Sequence, residues 1–96
     1  MRARFAAYAI GDEGYLLRSW HPSSRPPTIT FDPDMRWERL EILETAGGGI
    51  ADEDGTVEFI AHYERGHQDG ALHELSRFVR SERRWVYLAA VDADLS

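Results

Sequence analysis

Two polar side chains set into an apolar run are the first feature with chemical potential. In Leu72-His73-Glu74-Leu75-Ser76-Arg77-Phe78, an extended chain puts Glu74 and Ser76 on the face of Leu72 and Phe78, roughly 7 Å apart along the strand. A carboxylate among apolar neighbours is seldom left without a partner. It is either one half of a structural ion pair with an arginine, or part of a polar cluster in a pocket. In the second case a shifted protonation equilibrium would suit it to general-base work. Desolvation would raise its pKa, and a nearby cation would lower it.

His21 and Arg25 are the natural companions. His21 follows Trp20 and precedes Pro22, so it stands where a helix must end. It either caps that helix by bonding backbone carbonyls or marks the mouth of a site. Trp20, His21, Arg25, Tyr63, Glu74 and Ser76 are the candidate pocket residues, with no catalytic role assigned to any of them. Glu58 and His73 fall on the opposite faces of their strands, where a cross-strand pair is the simplest reading.

Other patterns carry less. His62, His67 and His73 do not match a common metal-ligand spacing. Asp52-Glu53-Asp54-Gly55 lacks the order of a twelve-residue calcium loop. Gly47-Gly48-Gly49 is not followed by Lys and Ser or Thr, so it reads as a flexible loop rather than a phosphate cradle. All 11 cationic residues are arginines, and Arg77, Arg80, Arg83 and Arg84 cluster. They read as a solvated strand end, with a small anion-binding patch as the alternative. The sequence has no Cys and no Lys, which excludes a disulfide, a thiolate site, a Schiff base and a P-loop lysine within these residues.

The elements that must position these groups follow from periodicity. Arg2 to Ile10 reads as a helix with Met1, Phe5, Tyr8 and Ala9 on one face. Gly11 ends it, and Asp12 caps a second helix from Glu13 to Trp20 whose apolar face is Tyr15, Leu16 and Trp20. Residues 22–33 are rich in turn formers, with a short edge strand over Thr28 to Phe31. Four further segments read as strands: Trp37 to Thr45, with Leu40 and Ile42 on one face; Thr56 to Glu64; Ala71 to Arg80; and Arg84 to Val91. The second of these alternates Val57, Phe59, Ala61 and Tyr63 against Glu58, Ile60, His62 and Glu64. Trp20, Phe59, Tyr63, Phe78 and Trp85 are the expected aromatic core. Strands joined by short glycine-bearing loops form an antiparallel meander, and helices placed before strands give an α+β domain.

Composition bounds the rest. A chain of 96 residues is one domain, 1–96, with 43% apolar and 29% charged residues. A formal net charge of −6 argues against nucleic acid as a partner. There is no apolar run long enough to span a bilayer and no signal-like N-terminus, so the expectation is a cytoplasmic protein without a membrane partner.

Five stretches in order resemble a known family. They are Met1-Arg2-Ala3-Arg4-Phe5-Ala6-Ala7-Tyr8; Ser19-Trp20-His21-Pro22 with Arg25; Val57-Glu58-Phe59-Ile60-Ala61-His62-Tyr63; Leu72 to Phe78; and Arg84-Trp85-Val86-Tyr87. Together they look like the central domain of the YchJ family, bacterial proteins that carry SEC-C zinc motifs. The resemblance covers nearly the whole chain. It implies a fold similar to nuclear transport factor two and the cystatin-like cones: a curved antiparallel sheet around two N-terminal helices, with a cavity between. The Cys-rich motifs of the family are absent from this sequence, and Leu88-Ala89-Ala90 replaces the family's usual Asp-Gly ending after Trp-x-Tyr. In the family pattern the methionine matching Met1 is internal. The expectation is a shortened start or a lineage without the zinc motif; an upstream in-frame Cys-x-Cys cluster would indicate the first, an immediate stop codon the second.

The resemblance implies a small binding or interaction domain with a cone-shaped cavity, serving an unidentified protein partner or small ligand. The alternatives are a small enzyme with an acid–base pair in the cavity and a homodimeric scaffold associating through its sheet. No cofactor is expected. The purified domain should carry no zinc after gel filtration, as read by elemental analysis; near-stoichiometric zinc would refute this.

Overall fold

Gly11, at φ 73°, closes the first helix, and the Asp12 side chain opens the second by accepting from Tyr15 N–H at 3.0 Å. The left-handed backbone at Gly11 is one that side chains resist, so the sharp corner between the helices is fixed by sequence. The computed structural model describes residues 1–92. It contains α1 (Arg2–Ile10), α2 (Glu13–Arg18), β1 (Met35–Gly47), β2 (Asp54–Arg65), β3 (Gln68–Ser81) and β4 (Arg84–Asp92). The strands form one antiparallel sheet in the order β1-β2-β3-β4.

This is the α+β architecture expected from the sequence, a curved sheet that does not close on itself. Register shifts interrupt β1 at Trp37/Arg39 and Ile42/Glu44, and the β3–β4 pairing at Leu75/Ser76 and Arg77/Phe78. Extra residues of this kind bend the strand that carries them and increase its twist. The helices pack against each other, and α1 lies against β1. Phe59, Ala61, Leu16, Ala7, Val86 and Tyr87 are the buried apolar residues. The cross-strand pairs Phe59↔Glu74, Ala61↔Leu72 and Val57↔Ser76 put Glu74 and Ser76 on the inner face with the aromatic residues of β2.

Several expectations require correction. The second helix ends at Arg18 rather than Trp20. Ser19 Oγ donates back to the carbonyls of Tyr15 and Leu16 at 2.8 and 3.3 Å, and the chain then runs beside β4. There Tyr87 N–H donates to Ser19 O and His21 N–H donates to Tyr87 O, both at 2.8 Å. Thr28 to Phe31 forms no strand; Ile29 N–H donates instead to the Glu13 carboxylate at 2.9 Å. Ala9 is exposed, because the buried stripe of α1 runs through Arg4 and Ala7. The strands are longer than expected and reduce the glycine-rich loop to residues 48–53.

Of the five expected core aromatics, Phe59 is buried, while Trp20, Tyr63 and Phe78 are partly covered. Trp85 is 36% exposed. It sits on the inner face near the Ser81–Arg84 turn, with the Arg80 guanidinium 4.9 Å from its ring.

Phe59 is 3% exposed at the centre of the inner face. Phe59→Ala should therefore destabilise the fold by about 3–5 kcal/mol in a denaturant titration. A loss under about 1 kcal/mol would contradict this placement.

Candidate functional site

Arg4 is the least expected member of the interior. It lies on α1 and is 6% exposed. Its guanidinium carbon stands 3.8 Å from the Tyr87 ring centre, 4.3 Å from Trp20 and 5.4 Å from Tyr8. The three rings come from α1, the segment after α2, and β4. Trp20 and Tyr87 meet edge to face at 5.0 Å, which sets two walls of the box at nearly a right angle. Attraction of a cation to aromatic faces is stronger where water is excluded. Tyr8 Oη accepts from Arg4 Nη2 at a long 3.4 Å, while Arg4 Nη1 and Trp20 Nε1 are buried without acceptors.

The box opens on a cleft of about 250 Å³ between α1 and the inner face of the sheet. Its walls are largely apolar: Phe5, Trp37, Phe59, Ala61 and Leu72 contribute, beside Tyr8, Trp20 and Tyr87. Trp37 holds the helix side together, with Phe5 at 6.1 Å and Tyr8 at 6.3 Å between ring centres. Glu74 is the one carboxylate among the lining residues. Fully buried Ser76 donates to Glu74 Oε2 at 2.5 Å and fixes its orientation. Among the described residues, no ion pair includes Arg4 or Glu74. Opposite charges therefore face one cleft, each held by its own neighbours.

Burial lowers the Arg4 pKa from its ordinary value, opposed by the surrounding tyrosines and by Glu74. An arginine so placed still keeps its charge near neutrality. Burial also pushes the Tyr87 phenol up to about 12, with Glu74 adding to the rise and Arg4 opposing it.

The structure brings together Trp20, Glu74 and Ser76 of the residues singled out in the sequence. Tyr63 packs edge to face on Trp37 at 5.4 Å and lies over Gly70, beside the cleft rather than in its lining. His21 and Arg25 stand one step back. His21 Nδ1 accepts from Ser23 N–H at 3.0 Å, and Arg25 donates from Nε and Nη2 to Trp20 O at 3.1 and 2.9 Å. Both fix the loop that presents Trp20. Arg4, Tyr8, Trp37 and Tyr87 complete the site and were not among the candidates. Arg4 offered one signal: it has no acidic residue three or four positions away on its helix, and Tyr8 follows it by four.

The remaining polar pairs face away. His73 Nε2 donates to Glu58 Oε2 at 2.7 Å, the cross-strand pair anticipated above, and His62 Nε2 donates to Glu41 Oε1 at 2.6 Å. The His62 bond, with Arg39 beside it, holds the Glu41 carboxyl below its usual range. In the arginine cluster, Arg77 pairs with Asp54 at 2.9 Å and Arg80 donates to Gly49 O at 3.1 Å. Among the described residues no three His, Asp or Glu side chains converge as metal ligands, and no helix is long and apolar enough to cross a membrane.

A curved sheet, two helices packed at its N-terminal side and a cleft between them define a small α+β domain of the cleft-bearing kind. The chain belongs to the YchJ family, and the model of that family's middle NTF2-like domain matches residues 1–90. It is 53% identical over 87 residues to a UPF0225 protein of Streptomyces coelicolor, covering 91% of this chain and 67% of that protein. A UPF0225 protein of Streptomyces avermitilis is 52% identical over 88 residues, 92% of this chain and 60% of the relative. The chain thus spans roughly two thirds of the length of these relatives. The solution structure of RPA3114, a SEC-C motif containing protein from Rhodopseudomonas palustris, superposes with a TM-score of 0.81 at 31% identity, over 98% of this chain and 76% of that one.

The Tyr87 environment gives a measurable consequence. Between pH 10 and about 12 the unfolded chain releases this phenolic proton while the folded chain keeps it. Stability should therefore fall as pH rises through that window. In a spectrophotometric titration of the folded protein one tyrosine should ionise near pH 12, and Tyr87→Phe should remove that step. Ionisation of every tyrosine near pH 10 would contradict the assignment.

Proposed function

We propose that this domain is a binding module whose cleft accepts a compact, largely apolar ligand with a polar end. The observation carrying the reading is the mismatch between the cleft's apolar walls and its unsatisfied polar end. Two buried donors, Arg4 Nη1 and Trp20 Nε1, lack acceptors next to a fixed carboxylate. Buried polar groups are normally paired, and each exception calls for an explanation. An acceptor brought by a ligand supplies one as the aromatic box parts to expose these covered donors. Apolar walls with a few converging polar groups are also the usual make-up of a small-ligand site.

The reading favours binding over acid–base catalysis. His62 and His73 are engaged with carboxylates on the outer face, which leaves Glu74 without a histidine relay. In longer members of the family the module would work beside a SEC-C motif, a suggestion that rests on the motif named for the R. palustris relative. The proposal extends to a cytoplasmic setting and to one domain over residues 1–96. A homodimer through the outer sheet face remains the competing architecture for partner binding, and its marker would be a doubled mass in solution.

A fragment screen followed by amide and indole NMR tests the reading. Apolar fragments that carry an acceptor should shift the Trp20 and Trp37 indole signals and leave Trp85 unmoved. Shifts confined to Trp85 or to the outer face, or no shifts at millimolar fragment, would overturn it.

A further inference from the structure

If the cleft is a ligand site, the two charged side chains of its lining, Arg4 and Glu74, specify the ligand further, beside the Met1 terminus that lines it as well. Arg4 is locked by three aromatic faces, and Glu74 is locked by Ser76. Neither can swing far to neutralise the other, and they form no ion pair. They are nevertheless near enough for the Glu74 charge to be felt at Arg4. An anionic ligand would leave Glu74 repelling it, and a cationic ligand would meet the same opposition from Arg4. A ligand bearing both charges close together satisfies both, and it does so in apolar surroundings where charge-assisted hydrogen bonds gain strength.

We propose that the cleft binds a free α-amino acid with an apolar or aromatic side chain, its carboxylate beside Arg4 and Trp20 and its ammonium beside Glu74. Ser76 donates to only one Glu74 oxygen, Oε2, so Oε1 is left to accept from the ammonium. The carboxylate faces the Arg4 guanidinium; because Arg4 Nη1 and Trp20 Nε1 are fully covered, it becomes their acceptor only as the aromatic box parts to admit it. Phe5, Trp37 and Phe59 offer the side chain aromatic contact, in offset and edge-on arrangements. Size sets the upper limit. About 250 Å³ corresponds to the liquid volume of roughly eight water molecules. That is room for one amino acid, whereas a peptide would separate the two charges and overfill the cleft.

The test uses the intact chain and three commercial probes: L-phenylalanine, 3-phenylpropanoate, which lacks the ammonium, and 2-phenylethylamine, which lacks the carboxylate. NMR titration should show L-phenylalanine binding about tenfold more tightly than either analogue, with shifts at the Trp20 and Trp37 indoles. Glu74→Gln should erase the preference for L-phenylalanine over 3-phenylpropanoate while leaving the thermal midpoint within a few degrees. Arg4 substitutions are avoided as the primary test because this side chain is part of the core. Equal binding of all three probes in the cleft would overturn the zwitterion assignment and leave the cleft reading intact. So would failure of all three below about 10 mM while neutral fragments still bind. Failure of probes and fragments alike would overturn both.

Discussion

The arrangement of helices on sheet depends on the buried guanidinium of Arg4. Taking an isolated charge out of water costs several kcal/mol even after relaxation. Among the described residues Arg4 has no carboxylate within ion-pair distance to offset that cost. What it has is three aromatic faces drawn from α1, the segment following α2, and β4. Each desolvated contact of this kind is worth about 2 kcal/mol or more, so the three together offset much of that cost. The consequence is geometric: α1 cannot shift along the sheet without breaking contacts to Tyr87 and Trp20 at once.

That constraint propagates to the sheet edge. Trp20 reaches Arg4 only because Ser19 and His21 bond to the backbone of Tyr87, and Arg25 holds the Trp20 carbonyl from outside. The same bonds pair the β4 edge at Tyr87, near its mid-point, where the backbone groups would otherwise be open. The opposite edge, β1, is handled differently. Its two register shifts and its Glu38, Arg39 and Glu44 side chains make it a poor template for another strand. One edge is paired locally and the other is bent and charged, which lets the sheet curve without closing.

Much of this was legible in the sequence where a single rule operates. Strict alternation in Val57-Glu58-Phe59-Ile60-Ala61-His62-Tyr63 fixed the inner and outer faces of β2. The same period placed Glu74 and Ser76 inside and paired Glu58 with His73 outside. Gly11 and Asp12 marked the helix corner for local reasons that need no tertiary knowledge. Legibility ended where distant segments combine. Arg4 reads as a solvated helix residue until Trp20 and Tyr87, far along the chain, are brought to it. His21 looks like a site residue because it is polar and ends a helix, yet its ring is spent on Ser23 in the loop. Trp85 looks like core because it is Trp, but it lies beside the Ser81–Arg84 turn and is covered there only in part, with the Arg80 guanidinium against its ring. Thr28 to Phe31 has the composition of a strand, but its Ile29 N–H is taken by the Glu13 carboxylate rather than by a sheet edge.

The polar end of the cleft is hard to explain by stability alone. A methionine in place of Arg4 could fill a similar volume among the same rings, and a leucine could replace Glu74 beside Leu72 and Phe59. Exchanging buried charges for well-packed apolar groups is often neutral or stabilising. Specificity could justify a buried charge pair, but that benefit comes from the two charges meeting, and here each is held by separate scaffolding. The scaffolding is itself polar and costly: Ser76 is fully buried, and Trp20 Nε1 is left without an acceptor. Departures from the most stable arrangement concentrate where a protein must act rather than merely fold. Among the described residues, two of the three buried donors without a partner, Arg4 Nη1 and Trp20 Nε1, lie at this cleft, the third being Arg80 Nε beside Trp85, and Glu74 Oε1 stands in the same cleft free to accept.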